Sequence, residues 1–224
     1  MVNPKLRKRF IDSIEYLRGM NFFNDYSDLS SEEIFERILR GEIGYQFSWW
    51  EEDKDKDLHP GLHLFLDIRE RWKSWMKASD FEIDRKLVCF DTKRVVVEDV
   101  ETEVSDKMGI AILNRLARIS RGIFQPMNIS SKWIVRPENK WSIQEVSFDF
   151  KGRRRSIEIA LQYGYIVDVG LRELNNLIED TGHRYYQIEH EIIIVVILTK
   201  EEARKLRAER GWLLEPLDFD LISR

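Results

Sequence analysis

An Asp-x-Lys triplet lies near the middle of the chain, where Asp91 and Lys93 follow the apolar stretch 87–90. Two carboxylates can hold Mg²⁺ while a lysine orients or activates water, which is the chemistry of metal-dependent nucleases and related hydrolases. Asp80, Glu82 or Asp84 upstream would supply the second carboxylate, and Asp84 is the candidate among them. Because Asp-x-Lys arises often by chance in β turns, metal-dependent hydrolysis is the alternative hypothesis for this chain and not the leading one.

Two groups of histidine and carboxylate residues have spacings that a metal ion could use. His59, His63 and Asp67 are spaced by four residues, so a helix would present all three on one face. However, His59 precedes Pro60, a position that disfavours helical backbone and would turn its side chain away. The second group is typical of a solvated β connection and comprises Glu179, Asp180, His183, Glu189, His190 and Glu191. We therefore expect surface histidines, and no metal or other cofactor.

An acidic stretch adjoins two neighbouring tryptophans. Residues 25–57 contain eleven acids and four bases, a local charge of −7. Adjacent strand residues point to opposite faces, so either Trp49 or Trp50 should be exposed or covered by a partner. The candidate binding residues are Trp49, Trp50, Glu51, Glu52, Asp53 and Asp55. The leading hypothesis is a noncatalytic protein-binding module, of the immunity or inhibitor type, whose acidic surface occupies a basic site on its partner.

Other features argue against several classes of function. The chain contains neither a glycine-rich phosphate loop nor a Gly-x-Ser-x-Gly elbow. Basic residues cluster at 151–155, but the cluster is short and the net charge of −4 opposes nonspecific binding of nucleic acid. The longest apolar run, 192–198, has seven residues and is too short to cross a membrane. A single cysteine, Cys89, fits the cytoplasm. A homodimer is compatible with all of these features.

Helical patterns dominate the first half of the chain. Apolar residues recur at helical spacing over 6–17, and Ser30 with Glu33 predicts a capping box for a second helix. A third helix after Pro60 would place Trp72 and Trp75 on its apolar stripe. Residues 87–90 and 95–100 read as a hairpin, and 105–120 as another helix.

Strand patterns dominate the second half. Apolar and polar residues alternate over 144–150 and 157–161, which predicts a hairpin, and 192–198 is apolar enough to be buried on both faces. We expect an α+β protein: a mostly helical N-terminal part with a hairpin, 1–125, followed by a C-terminal domain, 126–224, of two or more helices packed on a mainly antiparallel sheet. The two parts could share one core.

Overall fold

The computed structural model describes residues 2–44, 64, 67–98, 105–134, 142–162, 165–168, 170–188 and 193–215 of the 224 in the chain. The chain forms two compact units, one of residues 1–95 with 205–212 and one of residues 96–204 with 213–224. Helices make up most of the first unit, and the second combines helices with antiparallel strands. The α+β class expected from the sequence is confirmed.

Helices build most of the described part of the first unit. They are α1 (Pro4–Arg18), α2 (Ser31–Leu39), α3 (Trp72–Trp75) and α4 (Asp80–Val88), with a 3₁₀ turn at Asn24–Tyr26. Capping boxes begin α2, through Ser30 and Glu33, and α4, through Ser79 and Glu82. Each box satisfies backbone N–H groups that the first helical turn leaves without partners.

The predicted hairpin strand at residues 87–90 is wrong. Helix α4 extends through Val88, and Ile83, Leu87 and Val88 form its buried face. A turn then leads to strand β1 (Val95–Glu98). A short apolar run can be a buried helical turn as readily as a strand, and the capping box at Ser79 is the local signal that favours the helix.

In the described ranges, the second unit contains helices and two four-stranded sheets. Its helices are α5 (Met108–Ile119) and α6 (Leu171–Leu177), and α7 (Lys200–Arg210) begins in it. One sheet has the order β1-β7-β6-β8, with β6 (His183–Ile188), β7 (Ile193–Thr199) and β8 (Leu214–Glu215). The other has the order β2-β3-β4-β5, with β2 (Met127–Ile134), β3 (Ser142–Phe150), β4 (Arg153–Gln162) and β5 (Tyr165–Asp168).

The hairpin predicted from alternating residues is confirmed as β3 and β4. Its two-residue turn consists of Lys151 and Gly152, whose φ angles of 48° and 72° suit the right-handed twist of the two strands. Val146, Phe148 and Ile157 on its inner face join a core that includes residues of α5, α6, β6 and β7. The residues of β7 from Ile194 to Leu198 are each at most 2% exposed, so burial of both faces is also confirmed.

Helix α5 is fastened to the hairpin sheet through one buried side chain. The amide oxygen of Gln144 accepts a hydrogen bond from the backbone N–H of Gly109, 2.6 Å away. The amide nitrogen of Gln144 donates to the carbonyls of Ser105 and Asp106 at 3.3 and 3.0 Å. A Cβ atom at Gly109 would lie 2.4 Å from the Gln144 oxygen and 2.5 Å from Cγ2 of Val146, so the close approach of helix and sheet requires glycine here.

Candidate binding surface on the first unit

A continuous run of exposed residues, 69–74, crosses the start of α3. We call this run the Trp72 surface; its members are Arg69, Glu70, Arg71, Trp72, Lys73 and Ser74. It carries three bases and one acid around an aromatic ring that is 39% exposed. Large apolar side chains with this exposure are uncommon among the described residues, where Met127 and Leu213 are the other two. The surface therefore combines the residue types that are enriched in protein interfaces, tryptophan and arginine.

The prediction that Trp72 and Trp75 share a buried stripe holds only for Trp75. Trp75 is 9% exposed, whereas Trp72 faces outward. The helical residues 67–70 are separated from α3 by a bend at Arg71, so the spacing that a continuous helix would impose is interrupted. Charged residues stand directly on both sides of Trp72 in the sequence, which is the signal that could have identified it as exposed.

Residues beneath the Trp72 surface hold it in place. The ring of Trp75 lies 5.5 Å from that of Phe10, and its indole N–H donates to Asp67 at 2.9 Å. Arg9 donates to the carbonyls of Trp75, Met76 and Ala78 at 3.0, 3.2 and 2.8 Å. These carbonyls lie at and after the end of α3, where backbone acceptors lack intrahelical partners. The exposed ring is thus displayed on an anchored element.

Exposed ion pairs surround the Trp72 ring. Arg71 pairs with Asp67 and Arg69 with Glu70, each at 3.3 Å. The Lys73 ammonium lies 5.8 Å from the centroid of the Trp72 ring. Pairs between exposed side chains contribute about 0–1 kcal/mol, so a carboxylate from another molecule can replace them at little cost.

All six candidate binding residues and two of the candidate metal-binding histidines lie outside the described part of the chain. These are Trp49, Trp50, Glu51, Glu52, Asp53 and Asp55, together with His59 and His63. Asp67, the third member of the histidine group, is described. Its two carboxylate oxygens accept hydrogen bonds from Trp75 and Arg71.

Acids that precede the run 51–57 pair with bases of the same unit. Arg7 contacts Glu32 and Glu36, each at 2.7 Å. Lys93 pairs with Asp25 at 2.9 Å. These acids therefore form ion pairs within the first unit. They are distinct in sequence from the acids of residues 51–57.

Asp84 is fully buried and makes a set of internal contacts. Arg210 donates to both of its oxygens, at 2.7 and 2.9 Å, and the indole N–H of Trp212 donates at 3.0 Å. Burial by itself lowers the pKa of Arg210, but its hydrogen bond to Asp84 and the charges of Asp84 and Asp80 outweigh burial and raise that pKa. The guanidinium also lies 4.7 Å from the ring centroid of Tyr16. Asp84 thus functions as the counter-ion of a buried arginine.

Asp91 fastens a strained loop. Its carboxylate accepts the backbone N–H of Phe23 at 2.6 Å and that of Lys93 at 3.3 Å. Arg94 binds the carbonyls of Met20 and Asn21 in the same loop, both at 3.3 Å. Asn21 and Phe23 have φ angles of 63° and 58°, in the left-handed region that costs energy for such residues. The Asp91 and Asp84 carboxylates have different hydrogen-bond partners, and the Lys93 ammonium pairs with Asp25.

We predict that the Asp91 carboxylate gives folding a distinctive pH dependence. Burial raises the pKa of Asp91, against the lowering effects of the Phe23 N–H and the Arg94 charge. As the pH rises from the usual value of 3.8 to this raised pKa, the unfolded chain releases a proton that the folded protein retains. The contribution of Asp91 to stability therefore falls as the pH rises through this window.

The variant Asp91→Asn keeps an oxygen for the Phe23 N–H but cannot ionise. Urea denaturation of both proteins across acidic and neutral pH measures the effect. We expect the free energy of unfolding of wild type, minus that of the variant, to decrease with rising pH. A difference that stays constant or increases would contradict the assignment.

The basic turn at 151–155 is partly committed to internal contacts. Lys151 pairs with Asp180 at 2.7 Å. Arg154 contacts Asp149 at 3.3 Å and donates to the carbonyl of Asn128 at 2.7 Å. Lys151 and Arg154 thus contact other residues of the second unit.

The second histidine group is described in part. The Nδ1 atom of His183 lies 3.0 Å from the carbonyl of Thr181, while Asp180 binds Lys151. Across the described ranges, no three histidine, cysteine, aspartate or glutamate side chains are grouped so that they could hold a metal ion. Residues 189–192 of this group lie outside those ranges.

No protein-family model, curated protein or solved structure matches this chain. Among the residues that the structure describes, no helix combines the length and apolar character needed to cross a membrane.

Proposed function

We propose that this protein is a noncatalytic protein-binding module, of the immunity or inhibitor type. The observation that carries the proposal is the exposed ring of Trp72, displayed among charged side chains on an anchored element of the first unit. Tryptophan and arginine dominate the binding energy of protein interfaces, and a rigid support reduces the entropy lost on association.

The contacts of the candidate catalytic residues favour binding over hydrolysis. Asp84 neutralises Arg210, and Asp91 accepts backbone N–H groups of the loop around Phe23 and of Lys93. A general base or a metal ligand needs an oxygen directed at substrate or metal. Both carboxylates instead have hydrogen-bond partners that stabilise the folded chain.

The acidic run 51–57, beside Trp49 and Trp50, supplies the charge for recognition of a basic partner. Several acids before it pair with Arg7, Lys93 and other bases, and the run itself contains five acids and two bases. Complementary charge accelerates encounter and discriminates against wrong partners more than it adds affinity. Binding through this run should therefore weaken with increasing salt.

Capture from lysate of the source cells tests the proposal. The bait variant carries Trp50→Ala with Glu51, Glu52, Asp53 and Asp55 changed to Ser. A matched control changes four exposed acids elsewhere to Ser and so alters net charge by the same amount: Asp28, Glu173, Glu179 and Glu201. We expect one stoichiometric, basic protein to be captured by wild type and by the control, and to be lost from the variant.

In calorimetric titration with the purified partner, wild type and the control should bind it with similar affinity, and the variant should bind it much more weakly. Capture of no protein, or equal capture by all three baits, overturns the proposal. In that case Mg²⁺- or Mn²⁺-dependent cleavage of nucleic acid, with Asp91→Ala as control, becomes the next assay.

A further inference from the structure

We infer that the Trp72 surface is a second contact site, which binds an acidic segment of the protein partner and packs an apolar side chain of that segment against the Trp72 ring. This inference rests on the proposed function. It concerns a surface distinct in sequence and charge from the acidic run 51–57, and it assigns the two surfaces to partner features of opposite charge.

The basic residues of the Trp72 surface indicate that its ligand is acidic. Within 69–74, three bases stand beside one acid, and the side chains of Arg69 and Arg71 are 50% and 71% exposed. Arg71 pairs with Asp67 at 3.3 Å, and its own side chain stays largely exposed, so a carboxylate of another molecule can reach it. Arginine can receive such a carboxylate through two parallel hydrogen bonds, which adds geometric selectivity.

The Trp72 ring indicates an apolar component in the same ligand. An ionic ligand alone would not require an indole at the centre of the charged run. Desolvation of a tryptophan in an interface contributes apolar burial and strengthens the charge pairs around it. Since Arg9, Trp75 and Asp67 hold the backbone beneath, the ring needs little ordering when a partner arrives.

The same features disfavour nucleic acid as the ligand. A nucleic acid strand carries one negative charge per nucleotide along its whole length, whereas this surface offers three bases in six residues and the chain has a net charge of −4. Proteins that hold single strands stack successive bases on several aromatic rings. The exposed run presents one such ring. A short acidic protein segment matches its size and charge better.

Direct titration with defined probes tests the inference. The probes are a short fluorescent peptide of alternating Glu and Tyr, its counterpart with Gln in place of Glu, and a short oligo(dT). The proteins are wild type, Trp72→Ala, the pair Arg71→Gln with Lys73→Gln, and a matched control pair, Lys200→Gln with Arg204→Gln. Lys200 and Arg204 are exposed on α7, so the control removes the same two side-chain types. Urea denaturation verifies that every variant is folded.

We expect wild type and the control pair to bind the Glu-Tyr peptide, with weaker binding at high salt. Trp72→Ala and the Arg71/Lys73 pair should each weaken it roughly fivefold or more, which corresponds to about 1 kcal/mol. Wild type should bind the Gln-Tyr peptide no more tightly than the Arg71/Lys73 variant binds the Glu-Tyr peptide. Equal binding by wild type and Trp72→Ala, no binding of the acidic peptide, indifference to its charge, or preference for oligo(dT) would each overturn the inference.

The two proposals can fail separately. If lysate capture yields a partner through the acidic run but the Trp72 and Arg71/Lys73 variants bind the peptide as wild type does, the inference fails, and the proposed function then rests on the acidic run and not on Trp72. If the peptide titration behaves as expected but no partner is captured, the proposed function fails, and the Trp72 surface is a site for acidic chains of another origin.

Discussion

Replacement of Asp84 by alanine is expected to lower the free energy of unfolding by about 3–5 kcal/mol. The substitution removes the carboxylate that accepts hydrogen bonds from two of the three guanidinium nitrogens of Arg210, and the side chain of Arg210 is only 14% exposed. An arginine cannot lose its proton to escape burial, so its charge would remain with only the exposed Asp80 as counter-ion. The indole N–H of Trp212 would lose its acceptor as well.

Urea denaturation of Asp84→Ala beside Asp12→Ala measures this effect. Asp12 pairs with Lys8 on the exposed face of α1, so its removal should cost less than about 1 kcal/mol. A second variant, Asp84→Leu with Arg210→Met, removes both charges together and should recover much of the lost stability. If Asp84→Ala behaves like Asp12→Ala, the pair does not carry the role assigned to it.

The substitution Gly109→Ala is expected to destabilise the second unit by about 1–3 kcal/mol. Glycine to alanine within a helix usually stabilises by reducing the freedom of the unfolded chain. At this position the added methyl group would meet the Gln144 oxygen at 2.4 Å and Val146 Cγ2 at 2.5 Å. Both neighbours belong to a buried, hydrogen-bonded strand, so relief requires α5 to move away from the sheet and to lose the Gly109–Gln144 hydrogen bond.

Gly44→Ala is the matched control, because a Cβ atom at Gly44 would meet nothing within 4 Å and its φ angle is not positive. Thermal and urea unfolding should show a loss for Gly109→Ala and little change for Gly44→Ala. Equal stability of the two variants would mean that helix and sheet are not as closely fitted as the structure indicates.

Short sequence motifs correctly predicted the helices and strands that depend on neighbouring residues. The capping box of Ser30 and Glu33 lies within four consecutive residues, and it begins α2 as expected. The alternation around Val146 and Ile157 reflects the two faces of one hairpin, so it predicted both strands. The continuous apolar run in β7 likewise predicted burial on both faces.

Distant contacts explain what the sequence could not predict. Asp84 was placed near Asp91 as a candidate catalytic acid, yet its partner Arg210 is 126 residues away. Nothing in the neighbourhood of Asp84 specifies that pairing. The apolar residues 87–90 are too few for their pattern to distinguish a strand from a helical turn, whereas the cap at Ser79 favours the helix.

The candidate site shows a similar division. Charge counts identified the acidic run at 51–57 without structural information. Trp72 was missed because helical periodicity assigned it to the apolar stripe, whereas the bend at Arg71 turns it outward. Its flanking bases were visible in the sequence, but only the backbone geometry places the ring and those bases together on an exposed surface.

Residues 205–212 belong to the first unit, although more than one hundred residues of the second unit precede them in the chain. A ribosome makes the helices of residues 4–88 more than one hundred residues before it supplies Arg210 and Trp212. Until then the Asp84 carboxylate lacks the hydrogen bonds that it accepts from Arg210 and Trp212. The first unit therefore cannot complete its set of contacts until the chain has been synthesised through residue 212.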